Sequence, residues 1–363
     1  MSESAARAGH HRLPDRSPDR LPGRRRRKPT RRWLGLVLAL LAVAATITSG
    51  VLADHRTAEH RTTAAPTHPA TATTAAVGGV PDVTGAGTPN GTVTLAAIRQ
   101  AYPGTVVTAA ALLSGGLNRG YLVLAPDHVS GPLPVLLVLH GSAASTTQEL
   151  QRDEFGPLAQ QGKAILVYPA GYGEFWNVQA DGCCGAAASK GVDDVEFVAQ
   201  VIQAVRAEYQ VGSVNLVGFS NGGKLAYLLM CRQPQLFSAV AVVGAVPLTS
   251  CSGAPASMLI AIGTGDGSLP LETAPATVPA QSLLDSAVAT WRARDGCTAA
   301  ATSDTIGTAT LSHWTSCAAG TQVTELAYAG LGHRWPDAPL VGVTESAATL
   351  IWAFFSGLAS TAG

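Results

Sequence analysis

The chain is predicted to fold as an α/β protein, with a mostly parallel sheet covered by helices on both faces. Three observations carry this. Short apolar runs of strand length recur after residue 93. They alternate with longer stretches of helical periodicity. A glycine-rich serine motif sits at the junction between one such run and the next helix. Strands that alternate with helices argue for parallel pairing, because a parallel crossover needs a helix-length connection.

Strands are expected near 119–124, 135–139, 164–168, 214–218, 238–243, 258–262 and 322–328. Val135-Leu136-Leu137-Val138-Leu139 is the most strand-like of these runs. Val214 to Val217 and Met258 to Ile262 are short apolar runs of the kind buried on both faces. Helices are expected near 192–209, 221–231, 281–293 and 344–356. Asp193 and Asp194 open the first of them as acidic residues at a helix N-terminus. Gly223 to Met230 has the apolar face of the second.

Gly218-Phe219-Ser220-Asn221-Gly222 fits G-x-S-x-G, the nucleophile elbow of the α/β-hydrolase fold. Its flanks are a strand and a helix, the context in which the motif carries meaning. Glycines around the serine leave room where a sharp turn packs against strand and helix. The following helix aims its N-terminus at the serine, where its dipole favours developing negative charge.

Serine is a weak nucleophile without a base, and the base needs an orienting acid. In this fold they follow in the order Ser, then Asp or Glu, then His. Gly263-Thr264-Gly265-Asp266 puts a carboxylate just past a strand end. Ala329-Gly330-Leu331-Gly332-His333 puts a histidine on a glycine-rich loop after the last strand. Asp266 and His333 are therefore the expected acid and base. Asp193 and Asp194 precede the serine and suit a helix start better. His313 lies in a Thr/Ser-rich stretch between two cysteines. The oxyanion donors are expected to be the backbone N–H groups of Ser142, after His140-Gly141, and of Asn221. His140 reads as a buried, hydrogen-bonded ring at the base of that loop.

With these residues in place the chain resembles the poly(3-hydroxybutyrate) depolymerase and feruloyl esterase group of α/β-hydrolases, the carbohydrate-esterase-1-like lineage. The resemblance rests on Arg119-Gly120-Tyr121, Leu139-His140-Gly141, Val167-Tyr168-Pro169, Trp176-Asn177, Cys183-Cys184-Gly185 and Val192-Asp193-Asp194-Val195. It continues through the elbow, Gly263 to Asp266, Gly332-His333-Arg334-Trp335-Pro336 and Ile351 to Phe355, and covers roughly 105–357. Ile262 stands where relatives often carry histidine, and Arg334 where a small residue is common. Both departures bear on the pocket rim. The resemblance implies an exported serine carboxylesterase. No cofactor is expected, and no C-x-x-C or His/Cys spacing suggests zinc. The implied substrates are a polyester oligomer, a feruloylated or acetylated polysaccharide, or a small ester. An acyltransferase of the mycolyltransferase kind, a serine exopeptidase and a non-catalytic surface binding protein are the alternative readings.

The chain has 363 residues and zero formal net charge. That balance hides an asymmetry. Residues 1–32 carry 11 Lys/Arg against 3 Asp/Glu, a net of +8, and leave −8 for the rest. A mildly acidic body argues against nucleic acid as a partner. The basic head, 1–32, precedes an unbroken apolar segment, 33–53, long enough to span a bilayer. A signal anchor and a cleaved signal peptide both fit, and the segment's length favours the anchor. Either way the basic side is cytoplasmic, and the rest of the chain lies outside at the cell surface or released. Residues 54–92 are Thr/Ala/Pro-rich and read as a disordered linker. Residues 93–363 are then the catalytic domain.

All six cysteines fall inside that domain, and an exported context favours disulfides. Cys297 and Cys317 flank one short excursion and are the best pair. Cys183 and Cys184 sit on a loop leaving the carboxyl edge of the sheet, as does Cys251, so a bridge between those loops is expected. Cys231 takes the remaining partner or stays free. Trp176 and Trp335 are expected at the catalytic edge, where a flat face suits a feruloyl ring, a sugar or an aliphatic chain. Packing a loop is the other reading of each.

Overall fold

The computed structural model describes residues 93–179, 183–248, 251–269, 277–337 and 346–361. The basic head, the apolar segment 33–53 and the linker lie outside the described residues. Among the described residues no helix is long and apolar enough to cross a membrane.

The strands are β1 (Thr105–Ser114), β2 (Leu117–Pro126), β3 (Leu133–Leu139), β4 (Ile165–Pro169), β5 (Val211–Phe219), β6 (Ala239–Val243), β7 (Ser257–Gly263), β8 (Thr302–Ile306), β9 (Ala309–Trp314) and β10 (Val323–Tyr328). They form one sheet in the order β1-β2-β4-β3-β5-β6-β7-β10-β9-β8. The centre from β4 to β10 is parallel throughout. Antiparallel hairpins extend it at both ends, β1–β2 beside β4 and β8–β9 beside β10.

The runs of β3, β4, β6 and β7 are almost wholly apolar because both faces are covered. On β3, Val135, Leu137 and Leu139 join one core cluster, while Leu136 and Val138 join the other. The first cluster packs under α5 (Asp194–Glu208), α6 (Asn221–Arg232) and α7 (Ala280–Arg294). The second packs under α1 (Leu95–Ala101), α2 (Thr146–Arg152), α3 (Gly156–Gln160) and α8 (Ala347–Thr361). A short α4 (Gly185–Lys190) precedes α5. All seven expected strands and four expected helices form within a few residues of their predicted limits. The additions are β1, the β8–β9 hairpin and the short helices. Strand β1 is Ala-rich and lacks alternation, so its state depends on pairing with β2.

The stretch between Cys297 and Cys317 is not the coreless excursion its composition suggests. It turns at Gly307, whose φ is +58°, and pairs Trp314 opposite Val323 of β10. Cys297 and Cys317 are bonded across the base of this hairpin. The other expected bridge is corrected. Cys251 is bonded to Cys231 and Cys183 to Cys184, not Cys251 to the 183–184 loop. The reason is topological. Strands β6 and β7 are parallel neighbours, so their connection must return from the carboxyl edge to the amino edge. Cys251 lies late on that return, near the end of α6 that carries Cys231.

Candidate active site

Strands β3, β5, β7 and β10 end on one edge of the sheet, where the order reverses between β3 and β5. Such a switch point opens a crevice at the carboxyl ends of the strands. Ser220 stands there between β5 and α6 at φ 52° and ψ −118°. A positive φ at a residue with a Cβ costs roughly 1–3 kcal/mol and needs support from its surroundings. The Ser220 N–H donates to the Val243 carbonyl at the end of β6, 2.9 Å away, and Lys224 N–H donates to the Ser220 carbonyl at 3.0 Å. The neighbouring glycines are sterically required. A Cβ on Gly218 would collide with the Gly222 backbone, and one on Gly223 would stand 2.8 Å from the Ala245 Cβ.

His333 meets this serine. Its Nδ1–H donates to Asp266 Oδ2 at 2.7 Å, which leaves Nε2 to accept from the Ser220 hydroxyl at 2.8 Å. Asp266 is buried, and its second oxygen accepts from Ser268 N–H at 2.9 Å. The loops carrying acid and base are zipped together. Thr264 N–H donates to the Tyr328 carbonyl, Gly265 N–H to the Leu331 carbonyl, and Gly330 N–H to the Thr264 hydroxyl. Gly263 is needed where they touch, since a Cβ there would strike the Leu331 carbonyl.

The loop after β3 passes beside the serine. A Cβ on Gly141 would lie 3.4 Å from the Ser220 Cβ. Ser142 follows it, exposed. Asn221 is the first residue of α6, where the helix offers its N–H no internal partner. His140 is buried at the base of this loop, as expected. Gly171 N–H donates to its Nε2 at 2.9 Å and its Nδ1–H donates to the Gly141 carbonyl at 2.8 Å. Burial lowers its pKa to about 4, so the ring is neutral at physiological pH.

The tryptophans are corrected. Trp176 is 0% exposed and Trp335 3%. The Trp176 indole N–H donates to the His140 carbonyl at 2.8 Å, and its ring packs on His140 at 4.7 Å. Trp335 packs edge-on against Phe155 and Phe219. Neither presents a face to a ligand, because each is drawn into the packing that supports a site loop.

Two further features were not legible as site elements. The Asn221 carboxamide accepts from Trp176 N–H at 2.7 Å and donates to the Trp176 carbonyl at 3.2 Å, clamping the elbow to the loop after β4. Arg119 donates to Asp194 at 2.6 Å and to the Ala170 carbonyl at 3.1 Å. The other Asp194 oxygen accepts from Asn177 N–H at 2.7 Å. The sequence signal for this network was present, since all three residues lie in the resemblance motifs, but only the fold joins them. Asp193 caps α5, accepting from Glu196 N–H. His313 lies on β9 with its Nδ1 3.1 Å from the Thr324 hydroxyl. Among the described residues no group of three His, Cys, Asp or Glu side chains converges as metal ligands would.

The family model described as Esterase PHB depolymerase matches residues 120–322, more than half of the chain and inclusive of Ser220 and Asp266. The bifunctional acetylxylan esterase/xylanase of Neocallimastix patriciarum is 27% identical over 154 residues, 38% of this chain and 21% of that protein. Feruloyl esterase D of Neurospora crassa is 28% identical over 172 residues, 42% of this chain and 55% of that protein. The chain thus spans about half or less of the length of these curated relatives. The acetyl xylan esterase from Aspergillus awamori has the same fold, with a TM-score of 0.50 at 15% identity, covering 64% of this chain and 96% of that one. The α/β-hydrolase sheet and the family match together assign the chain to the esterase PHB depolymerase family, whose members are carboxylic-ester hydrolases.

Proposed function

We propose that the protein is an exported serine carboxylesterase working through Ser220, His333 and Asp266. The observation that carries this is the unbroken hydrogen-bond chain from the Ser220 hydroxyl through the imidazole to a buried carboxylate, at 2.8 and 2.7 Å. The Ser220 oxygen attacks the ester carbonyl as its proton passes to His333 Nε2. Asp266 holds the tautomer and stabilises the imidazolium. The N–H groups of Ser142 and Asn221 receive the oxyanion, supported by the α6 dipole. The C–O bond to the alcohol breaks as Nε2 returns the proton to the leaving oxygen. Water then attacks the acyl-enzyme, giving its proton to Nε2, and Nε2 returns that proton to Ser220 Oγ as the acyl C–O bond breaks and the acid leaves.

The substrate is a polyester oligomer, a feruloylated or acetylated polysaccharide, or a small ester; the acetylxylan and feruloyl esterases among the relatives and the PHB depolymerase family support this reading. Export follows from the basic head and the apolar segment 33–53, with 54–92 as a spacer from the membrane. Ser220→Ala is expected to abolish hydrolysis of a short p-nitrophenyl ester and labelling by a fluorophosphonate probe, with the fold intact. Wild-type turnover by the folded variant refutes the assignment. A panel of hydroxybutyrate oligomers, methyl ferulate and acetylated xylan ranks the substrates. Protease added to intact cells is expected to release an active fragment by cutting within 54–92. A fragment protected until lysis refutes export.

A further inference from the structure

The imidazole of His333 has a third support besides Asp266 and Ser220. Its ring stacks on Phe219, with centroids 5.4 Å apart and planes inclined at 27°. Phe219 is the residue before Ser220 and is buried. Its ring also lies against the loops after β3 and β6. Gly141 of the β3 loop and Gly244 after β6 crowd it, so that a Cβ on either would stand 2.9 or 3.2 Å from ring atoms. Trp335 meets it edge-on at 6.1 Å. The Arg152 guanidinium lies over it, 4.5 Å from the centroid. Arg152 is in turn paired with Glu149, which is buried on α2.

Two hydrogen bonds at Nδ1 and Nε2 hold the imidazole along the line between those atoms. They leave it free to tilt about that line. A flat neighbour stops the tilt. Tilt decides where the Nε2 proton points, first along the Ser220 oxygen and later toward the leaving oxygen. A guanidinium over a phenyl ring restrains the phenyl plane by cation–π attraction.

We infer that Phe219 is a positioning residue, whose ring face sets the tilt of His333 relative to the loop after β3, with Arg152 holding that face in place. This rests on the reading of Ser220 and His333 as nucleophile and base. The Arg152–Glu149 pair extends the support from the sheet edge into α2, so a helix with no residue in the triad contributes to its geometry.

The test compares Phe219→Met, which keeps apolar bulk without a face, with Phe219→His, which keeps a flat ring. Both are made in the full chain, and kcat, KM and Tm are read with p-nitrophenyl acetate. Phe219→Met is expected to lose roughly tenfold to hundredfold in kcat, the scale of a small misplacement of a catalytic group, with KM nearly unchanged. Phe219→His is expected to recover most of that loss, although it is the less apolar variant. Arg152→Lys keeps the charge beside Glu149 and loses the flat guanidinium. It is expected to lower kcat about two- to fivefold at constant KM, the scale of one weak cation–π contact. The proposal is overturned if Phe219→Met keeps wild-type kcat, if Met and His lose kcat equally, or if the loss falls on KM. If the Phe219 variants do not fold, Arg152→Lys decides, and unchanged kcat overturns it. Ser220→Ala is run alongside. Turnover by that variant overturns the nucleophile assignment itself and is thereby told apart from failure of the stack.

Discussion

Gly222→Ala isolates the steric demand of the elbow. Gly222 is the second residue of α6 and faces the loop after β3. An added Cβ would stand 2.6 Å from the His140 carbonyl oxygen and nearer still to that of Leu139. Ordinary contact begins at 3.4 Å, and both obstacles are backbone, so helix and loop must part by about 1 Å. That loop carries Ser142, one proposed oxyanion donor, and the helix carries the other. A misplacement of about 1 Å can cost roughly a hundredfold in rate. Overpacking of this kind also costs about 1–3 kcal/mol, or roughly 2–10 °C in Tm for a domain of this size. The expected result is a folded protein with kcat/KM for p-nitrophenyl acetate down about a hundredfold. Gly332→Ala is the control. It adjoins His333, yet a Cβ there meets nothing within 4 Å. It is expected to stay within about 0.5 kcal/mol of wild type and to keep activity. Wild-type kcat/KM in Gly222→Ala, or equal losses in both variants, would refute the argument.

Asp266 and Asp194, two of the three carboxylates weighed in the sequence, are expected to separate by assay. Asp266→Asn should lower kcat by about 10⁴ with little change in KM, because the imidazole loses its orienting acceptor. Asp194→Asn should instead lower Tm, since it breaks a buried pair with Arg119 worth roughly 3–5 kcal/mol when one partner is removed. The opposite pattern would reverse the assignment. Cys297→Ser should lower Tm by several degrees for about 2–4 kcal/mol, and peptide mapping without reductant should recover Cys297 linked to Cys317. Asp153 offers a pH test. Burial, then the neighbouring Glu149 charge, raises its pKa well above 3.8. The folded state therefore holds this proton more tightly than the unfolded chain does. The associated stability is present below pH 3.8 and is lost as pH rises through the folded value. Asp153→Asn should accordingly gain Tm relative to wild type as pH rises, and a difference that stays constant or shrinks with pH would count against it.

Much of this protein was legible because its chemistry is local. The elbow needs its glycines within five residues of the serine, and apolar runs buried on both faces announce parallel strands wherever they occur. Asp266 and His333 could be placed from strand ends because loops at one sheet edge converge whatever their separation in sequence. Strand β1 and the β8–β9 hairpin were not legible. Their Ala, Ser and Thr residues have no pattern of their own, and their state is set by the strand beside them. The tryptophans show the same limit at single-residue scale. A loop position at the catalytic edge cannot reveal whether an aromatic ring points outward or is drawn under the loop.

The sequence by itself determined the sheet's parallel centre and the strand–turn–helix setting of the elbow, and it named Ser220, His333 and Asp266 as candidates whose side chains the structure brings into contact. Each depends on neighbours a few positions away or on the common direction of parallel strands. Only the tertiary structure decided that Cys251 meets Cys231, that Arg119, Asn177 and Asp194 form one network, and that Phe219 lies between Arg152 and His333. Those contacts join residues tens to more than a hundred positions apart. They depend on which strand lies beside which and on where each connection returns across the sheet, and no local pattern encodes that.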